Sequence, residues 1–268
     1  MDKNIFKVKG SYVNGQWFNS KNRYDIFNPS NGEKLSDVPI SDKKELELAV
    51  ESAKKAQLIW SKTSLIERAN ALEKLAKKIL EKEEEFALID TYDSGNALTG
   101  MRKDVKETVN NIRYFCGLVR EVKGETFSME KNHLNFTRYQ PYGVVLKINP
   151  FNHPFRFCVE KIAAPLLMGN SLIIKNSEQA PISSLRFCEL LEDIFPKGLI
   201  NVVTGGPDNG KFLVEHPDIK RIAVIGSVNT GIAIAKSAAP LLKNISLELG
   251  GKNPIIVFDD ADPDFAAS

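Results

Sequence analysis

The chain has 268 residues, of which 43% are hydrophobic and 26% are charged, the proportions of an ordinary globular protein. This length accommodates one large domain or two small ones with a sizeable buried core. Lysine and arginine total 36, aspartate and glutamate total 34, and the formal net charge is +2. Such a balance gives no electrostatic basis for binding nucleic acid or an acidic membrane surface, so neither is expected as a partner.

Sparse cysteines and the N-terminal sequence indicate a reducing location. Cys116, Cys158 and Cys188 lie far apart without a CxxC pair, which argues against a disulfide framework and against a zinc site. The first ten residues contain no apolar leader segment, and no stretch reaches the roughly 20 apolar residues of a membrane span. We therefore expect a cytoplasmic protein that holds no metal.

The first third of the chain combines short strands with amphipathic helices. Turn signals and brief alternating runs predict small strands within residues 1–40. Ser41 is expected to cap a helix that ends near Trp60. Ser64 and Glu67 have the spacing of a capping box, which predicts the start of a second helix.

Apolar residues at helical spacing predict two more helices, at 84–92 and 98–119. Residues 124–140 change character and indicate a β-hairpin. From residue 142 onward, continuous apolar strands alternate with helices, including a predicted helix at 155–168 and another that begins near Pro181. The predicted strands are 144–148, 171–175, 200–203, 219–225, 245–249 and 255–258.

This alternation predicts an α/β fold. The expected architecture is a Rossmann-like, doubly wound parallel sheet, preceded by an N-terminal helical segment and carrying a protruding β-hairpin. Ligands of such a sheet bind at the carboxyl ends of its strands. The segments expected there are rich in Gly, Asn, Ser and Lys, which suits a phosphate-bearing cofactor held by backbone N–H groups. These segments are residues 149–153, 175–178, 204–210, 226–231 and 248–252.

One glycine-rich segment resembles a P-loop without satisfying its pattern. Residues 205–211 have the spacing GxxxxGK, but Phe212 stands where a magnesium-binding hydroxyl is required. Pro207 also removes one N–H group from a phosphate cradle. A simple glycine-rich turn is therefore favoured, and a P-loop-like phosphate-binding enzyme is kept as a remote alternative.

Longer strings of sequence carry more information than any single glycine pattern. In chain order these strings are residues 14–17 (NGQW), 141–145 (PYGVV), 149–152 (NPFN), 169–170 (GN), 175–178 (KNSE), 201–205 (NVVTG) and 247–254 (LELGGKNP). Their order and spacing resemble the NAD(P)-dependent aldehyde dehydrogenase superfamily over nearly the whole chain. The sequence departs from the family pattern where Phe151 replaces Trp, Asn176 replaces Pro, and residues 224–225 replace Phe-Thr.

The resemblance implies an aldehyde substrate and a role for each matching residue. In the family reaction a cysteine thiolate attacks the aldehyde, hydride passes to the nicotinamide, and the resulting thioester is hydrolysed to a carboxylic acid. Asn152 matches the oxyanion donor, and Glu248 matches the general base that activates water. The implied cofactor-binding residues are Ile148, Asn149, Pro150, Phe151, Lys175, Ser177, Glu178, Gly205, Gly226, Ser227, Leu249 and Gly250.

The same resemblance implies that the cofactor is NAD, with NADP possible. Lys175 and Glu178 match residues that bind the adenosine ribose, and a carboxylate accepts ribose hydroxyls while it repels a 2′-phosphate. Each key residue also has a simpler alternative role. Asn152 could cap the following helix, Glu248 could be a surface carboxylate at a strand end, and Lys175 could be a solvated strand end.

In the family the nucleophilic cysteine follows the LELGG motif by a few tens of residues, a place that none of the three cysteines occupies. The resemblance thus implies an N-terminal, cofactor-binding part that lacks the catalytic domain and is inactive alone. Residues 1–123 and 141–268 would form the NAD-binding domain, and residues 124–140 an oligomerisation hairpin of a homodimer or homotetramer. A non-catalytic NAD-binding or scaffold protein of the same ancestry is the alternative.

Overall fold

The alternating strands of the second half of the chain build a central sheet. The structure is a computed structural model and describes residues 3–267. Its strands are β1 Ser11–Val13, β2 Gln16–Phe18, β3 Arg23–Phe27, β4 Lys34–Pro39, β5 Thr126–Ser128, β6 Leu134–Phe136, β7 Val144–Ile148, β8 Ser171–Lys175, β9 Ile200–Val203, β10 Ile219–Gly226 and β11 Asn244–Leu249. Seven of them form one sheet in the order β11-β10-β7-β8-β9-β1-β2.

The order of these strands reverses at β7. From β7 the chain adds β8 and β9 on one side, and then returns to add β10 and β11 on the other. These five strands are parallel, whereas β1 joins β9 in antiparallel orientation. Such a reversal opens a crevice at the carboxyl ends of the strands, where ligands of α/β sheets bind. The prediction of a doubly wound parallel sheet is confirmed.

Helices cover both faces of the sheet. They are α1 Lys43–Trp60, α2 Leu65–Glu81, α3 Glu83–Ser94, α4 Leu98–Leu118, α5 Pro154–Val159, α6 Ala163–Leu167, α7 Ile182–Phe187, α8 Pro207–Glu215 and α9 Val228–Ala238, whereas a last helix, α10 Pro263–Ala267, has no buried residue. Within residues 3–267, none of these helices has the length and apolarity that crossing a bilayer requires.

Two buried clusters lie on opposite faces of the sheet. On one face, the cluster contains residues of helices α2 to α7, among them Phe155 of α5, whose ring centroid lies 4.3 Å from that of Phe86 and 6.4 Å from that of Phe187. On the other face, α1, α8 and α9 cover apolar residues of β7 and β10, including Leu146 and Ile222. Because both faces are covered, these strands are continuous apolar runs.

The helix starts confirm one sequence prediction and correct another. The capping box at α2 is present, with the Ser64 hydroxyl accepting from Glu67 N and the Glu67 carboxylate accepting from Ser64 N. The cap of α1, however, is Asp42 rather than Ser41. Ser41 instead accepts a hydrogen bond from the backbone N–H of Thr204 at 3.1 Å, so its hydroxyl joins α1 to the loop after β9.

The predicted helix at 155–168 is broken into α5 and α6. A 3-10 turn at Glu160–Ile162 separates them, and Lys161 has non-helical backbone angles. The buried Lys147 ammonium donates to the carbonyl oxygens of Phe157 and Cys158 at 2.9 and 3.0 Å. These carbonyls are the ones that would extend α5, so the lysine accounts for the break.

The helix after β8 begins just after Pro181, as predicted, but it is short. It ends at Phe187 and continues as a 3-10 turn over Cys188–Leu190.

Residues 124–140 form the predicted hairpin. Strands β5 and β6 pair in antiparallel orientation, with Thr126 opposite Phe136 and Ser128 opposite Leu134. Every residue of both strands is exposed, and Leu134 retains 74% of its accessible surface. The hairpin thus protrudes with apolar side chains uncovered.

The prediction of a strand at 255–258 is wrong. Those residues pair with no strand in the described part of the chain, and Ile255 is 88% exposed. An apolar run becomes a strand only when a neighbour satisfies its backbone N–H and C=O groups, and these residues lie beyond the edge strand β11 without such a neighbour.

Candidate functional site

A cavity of about 550 Å³ lies at the carboxyl edge of the sheet, where the strand order reverses. The loops after β7, β8 and β10 form one side of it, and helices α8 and α9 form the other. Nine residues expected to bind the cofactor line this cavity. They are Ile148, Asn149, Pro150, Phe151, Lys175, Ser177, Glu178, Gly226 and Ser227.

Charge at one wall of the cavity comes from a lysine–carboxylate pair. Lys175 ends β8, and its Nζ lies 3.3 Å from Oε2 of Glu178 in the following turn. The lysine side chain is only 8% exposed, whereas that of Glu178 is 44% exposed. The pair therefore keeps a buried ammonium neutralised while a carboxylate stays accessible to accept hydrogen bonds.

Backbone N–H groups reach the cavity edge from the start of α9. The Ser227 hydroxyl caps this helix by accepting from Thr230 N at 3.2 Å. The first hydrogen bond within the helix is from Gly231 N to Ser227 O at 3.0 Å, so the N–H groups of Val228 and Asn229 precede it. Free N–H groups and the helix dipole make such an end suitable for a phosphate.

The loop after β7 is tied to the loop after β8. Asn149 Nδ2 donates to Asn176 Oδ1 at 2.9 Å, and Asn149 N donates to Lys175 O at 3.1 Å. Both asparagines are buried. These bonds hold two cavity walls together and leave the Lys175 ammonium for Glu178.

Asn152 lies at the end of the same loop and does not line the cavity. The residue is exposed, and its carbonyl oxygen accepts from Asn96 Nδ2 at 2.6 Å. The alternative that Asn152 caps α5 is wrong, because Asp90 Oδ2 takes the Phe155 N–H at 2.9 Å and the position before α5 is His153. The Asn152 amide is therefore available for another partner.

Ion pairs fix the backbone just after Asn152. His153 Nδ1 lies 2.5 Å from Oδ2 of the buried Asp104, and Arg156 contacts the other oxygen of that carboxylate at 3.2 Å. Arg156 also binds Glu160 at 2.6 Å. This network gives His153 a structural partner.

Glu248 and Leu249 face opposite sides of the sheet, as successive residues of a strand do. Leu249 packs on α9, since a Cβ atom added at Gly231 would lie 2.6 Å from Leu249 Cδ1. Glu248 is in register with Ile225 of β10 and faces away from α9, with its side chain exposed. Neither residue lines the cavity, and neither does Gly250.

Asn152 and Glu248 belong to the same side of the sheet. Helix α5 follows Asn152 and is bound by Lys147, whose register partner in β10 is Ala223. Side chains of a strand alternate between the two faces of the sheet, and Leu249 faces α9. Glu248 and its register partner Ile225 therefore face the other side, and so does Ala223, two residues before Ile225. The two residues predicted as catalytic thus lie across the sheet edge from the helical wall of the cavity.

Gly205 has a conformational role and does not line the cavity. Its φ is +118°, and a Cβ atom there would lie 2.4 Å from Nδ2 of Asn209. That amide donates to the carbonyl oxygens of Thr204 and Ser41 at 2.7 and 2.8 Å. The side chain of Asn209 fills the interior of the turn, which leaves no phosphate cradle of the P-loop kind.

The three cysteines are poor nucleophiles in this structure. Cys158 and Cys188 are buried, and burial raises the pKa of both thiols. Burial also raises the pKa of Cys116 to about 11. None of the three lines the cavity, so in residues 3–267 the site has no thiolate.

Comparison with known proteins decides the family. The model of the aldehyde dehydrogenase family matches residues 17–268. The chain belongs to the aldehyde dehydrogenase family. Its relatives include aldehyde dehydrogenase tropH of Talaromyces stipitatus, 38% identical over 258 residues. The 4-trimethylaminobutyraldehyde dehydrogenase of Rattus norvegicus is 39% identical over 235 residues. These matches cover 94% and 87% of this chain but 50% and 48% of the relatives, so the chain spans about half of their length.

Solved structures of this family share the fold. Betaine aldehyde dehydrogenase of Staphylococcus aureus in complex with NAD+ superposes with a TM-score of 0.95 at 35% identity, over 98% of this chain and 54% of that one. An aldehyde dehydrogenase of Bacillus cereus, also in complex with NAD+, gives 0.93 at 33% identity over 97% and 54%.

The sequence analysis placed residues 204–210 and 226–231 at this edge of the sheet but did not single out the residues of the helical wall as cofactor-binding. The residues of this wall share the i, i+3, i+4 and i+7 spacing of a helix face, mostly with small side chains on α9. That spacing was the available signal, since a row of small residues leaves room for a ligand. The residues are Pro207, Asp208, Gly210, Lys211 and Val214 of α8 and Thr230, Ala233, Ile234 and Ser237 of α9, and Ile225 of β10 also lines the cavity.

Proposed function

We propose that this chain is the cofactor-binding part of an aldehyde dehydrogenase and that NAD occupies the cavity at the carboxyl edge of the sheet. The observation that carries the proposal is the convergence of three strand-end loops and the α9 N-terminus on one cavity of about 550 Å³. Backbone N–H groups of that helix would hold the pyrophosphate, and Glu178 would accept the ribose hydroxyls. Similar enzymes in complex with NAD+ support the assignment.

NAD is favoured over NADP because of the charge at Glu178. Its carboxylate is 44% exposed toward the space where the ribose would lie, and it would repel a 2′-phosphate. Lys175 is already neutralised by this carboxylate, so little positive charge remains for a phosphate. NADP would bind more weakly than NAD. Its 2′-phosphate would be attracted only by Lys175 and Lys211 among the residues that line the cavity.

The reaction that we assign to the whole protein is oxidation of an aldehyde to a carboxylic acid. The bound cofactor would supply the hydride acceptor. Asn152 would donate its amide N–H groups to the oxygen that becomes negative when a thiolate attacks the carbonyl. Glu248 would take a proton from the water that hydrolyses the thioester, and its exposed position at the end of β11 leaves room for that water.

The nucleophile in this proposal is a cysteine outside residues 1–268. Cys116, Cys158 and Cys188 lie away from the cavity, and burial keeps them in the thiol form. The 268-residue chain would accordingly bind NAD without oxidising aldehydes. Reduced, unpaired cysteines also fit a cytoplasmic location.

Assembly of the whole protein into a homodimer or homotetramer is part of the same proposal. The hairpin formed by β5 and β6 leaves Phe127, Leu134 and Phe136 exposed, and its strand edges are unpaired in the described chain. Apolar side chains beside open strand edges favour association with another subunit.

Calorimetric titration of the 268-residue chain with NAD tests the cofactor assignment. Ala233 lines the cavity from α9, so Ala233→Phe should fill part of it and weaken binding at least tenfold. Ile232→Phe, at the preceding residue of the same helix and outside the cavity, is the matched control and should bind like the unmodified chain. If Ala233→Phe binds NAD with the same Kd as the unmodified chain, NAD does not bind in this cavity.

The catalytic assignment needs a chain that includes the nucleophile. There, Glu248→Gln should slow hydrolysis of the thioester more than hydride transfer, because only hydrolysis requires the base. If the rate of the NADH burst, which reports hydride transfer, and the steady-state rate, which includes hydrolysis, fall by the same factor, Glu248 is not the base for hydrolysis.

A further inference from the structure

Helix α3 carries two buried carboxylates that take no direct part in the cavity. Asp90 and Asp93 are one turn apart and only 1% and 3% exposed. Among residues 3–267, neither forms an ion pair with a lysine or arginine. Buried carboxylates without a cation are rare because desolvation is costly, so these two call for a specific partner.

Each carboxylate accepts a backbone N–H at the start of another helix. Asp90 Oδ2 lies 2.9 Å from the N of Phe155 in α5, and Asp93 Oδ2 lies 2.9 Å from the N of Ile182 in α7. Neither helix has a side-chain cap of its own, since the preceding residues are His153 and Pro181. Helix α3 therefore supplies from outside the caps that both helices lack.

Both capped helices follow a loop of the cavity. Residues 149–153 lead into α5, and residues 176–181 lead into α7. A third bond acts on the first loop, because Asn96, two residues past the end of α3, donates from Nδ2 to the carbonyl oxygen of Asn152 at 2.6 Å. Three side chains of one short segment, residues 90–96, thus hold both loops against the same helix.

We propose that Asp90, Asp93 and Asn96 are positioning residues of the cofactor cavity, which fix the loops after β7 and β8 in the geometry that binds the dinucleotide. The proposal rests on the proposed function for the identity of the ligand. It also explains why polar side chains are kept in the interior at these positions: an acceptor oxygen must reach each helix start from α3. An asparagine keeps that oxygen and alanine removes it, so the two substitutions separate geometry from charge.

The test compares Asp93→Ala, Asp93→Asn and the unmodified chain in two measurements, the Kd for NAD and hydrogen–deuterium exchange of backbone amides. Asp93→Ala should weaken NAD binding about tenfold, the factor that corresponds to one lost helix cap. It should also speed exchange in residues 176–184. Asp93→Asn should restore both values to within threefold of the unmodified chain.

Trp60→Phe is the control for general destabilisation. It removes a buried hydrogen bond of 2.8 Å from Nε1 to Leu166 O, near the amino edge of the sheet and away from the loops. This variant should unfold more easily and still bind NAD normally. Weakening equal to that of Asp93→Ala would overturn the positioning role, as would failure of Asp93→Asn to restore binding.

Two further measurements distinguish a failure of the NAD assignment from a failure of the positioning role. If the unmodified chain does not bind NAD, the proposed function fails, and unchanged exchange in Asp93→Ala then also overturns the positioning role. If Asp93→Ala does not fold, Asn96→Ala at a half-buried position replaces it. In Asn96→Ala, faster amide exchange at residues 150–153 together with weaker NAD binding would support the proposal. Exchange and binding equal to those of the unmodified chain would contradict it.

Discussion

Replacement of Asp90 by asparagine should change how the stability of the fold depends on pH. Burial, with a smaller contribution from the charge of Asp104, raises the pKa of Asp90 from 3.8 to about 7. The Phe155 N–H and the nearby His153 act in the opposite direction. Asp93, on the same helix, is also buried, and burial raises its pKa. Asparagine keeps an oxygen for the Phe155 N–H but does not titrate.

The sign follows from which state binds the proton more tightly. Because the pKa of Asp90 is higher in the folded chain, its contribution to stability is complete below pH 3.8 and is lost as the pH rises through about 7. The difference between 3.8 and about 7 corresponds to ~4 kcal/mol at 1.36 kcal/mol per pKa unit. Asp90→Asn should therefore gain stability over the unmodified chain by ~1.4 kcal/mol per pH unit between pH 4 and 7.

Urea unfolding followed by circular dichroism at pH 5, 6, 7 and 8 measures this difference. Asp193→Asn makes the same substitution at an exposed position and should give a curve parallel to that of the unmodified chain. If the Asp90→Asn curve is also parallel, Asp90 is ionised in the folded chain throughout this range, and the argument from burial is refuted.

Three other predictions use the core, the cavity and the thiols. Phe155→Ala should lower the free energy of unfolding by ~3–5 kcal/mol in urea titrations, because it empties a fully buried ring site; a loss below ~1 kcal/mol would contradict the packing. Glu178→Ala should reduce the ratio of NAD to NADP affinity in calorimetry, and an unchanged ratio would contradict its role at the ribose. Cys116, Cys158 and Cys188 should react slowly with a disulfide reagent at pH 8 and rapidly in urea, whereas a fast native thiol would contradict their raised pKa values.

Local signals in the sequence were sufficient for the elements and their order. The capping box of Ser64 and Glu67 marked the start of α2, and apolar runs marked five parallel strands of the sheet. Hydrophobic periodicity and capping act over a few residues, so they are visible without knowledge of the fold. Once the strands were known to be parallel, the rule that ligands bind at their carboxyl ends brought Asn149, Lys175 and Ser227 to one cavity.

Contacts between distant segments could not be inferred in this way. The cap of α5 comes from Asp90, 65 residues earlier, and Lys147 ends that helix by binding its carbonyl groups. Gly205 was expected at the cofactor but instead makes room for Asn209.

The sequence alone determined the family resemblance, the doubly wound sheet and most of the strand-end residues that line the cavity, because these depend on short-range patterns. Only the tertiary structure decided which faces of α8 and α9 close the cavity and that Glu248 faces away from them. Those outcomes depend on register and helix packing, and a shift of one residue in β11 would have exchanged the sides of Glu248 and Leu249.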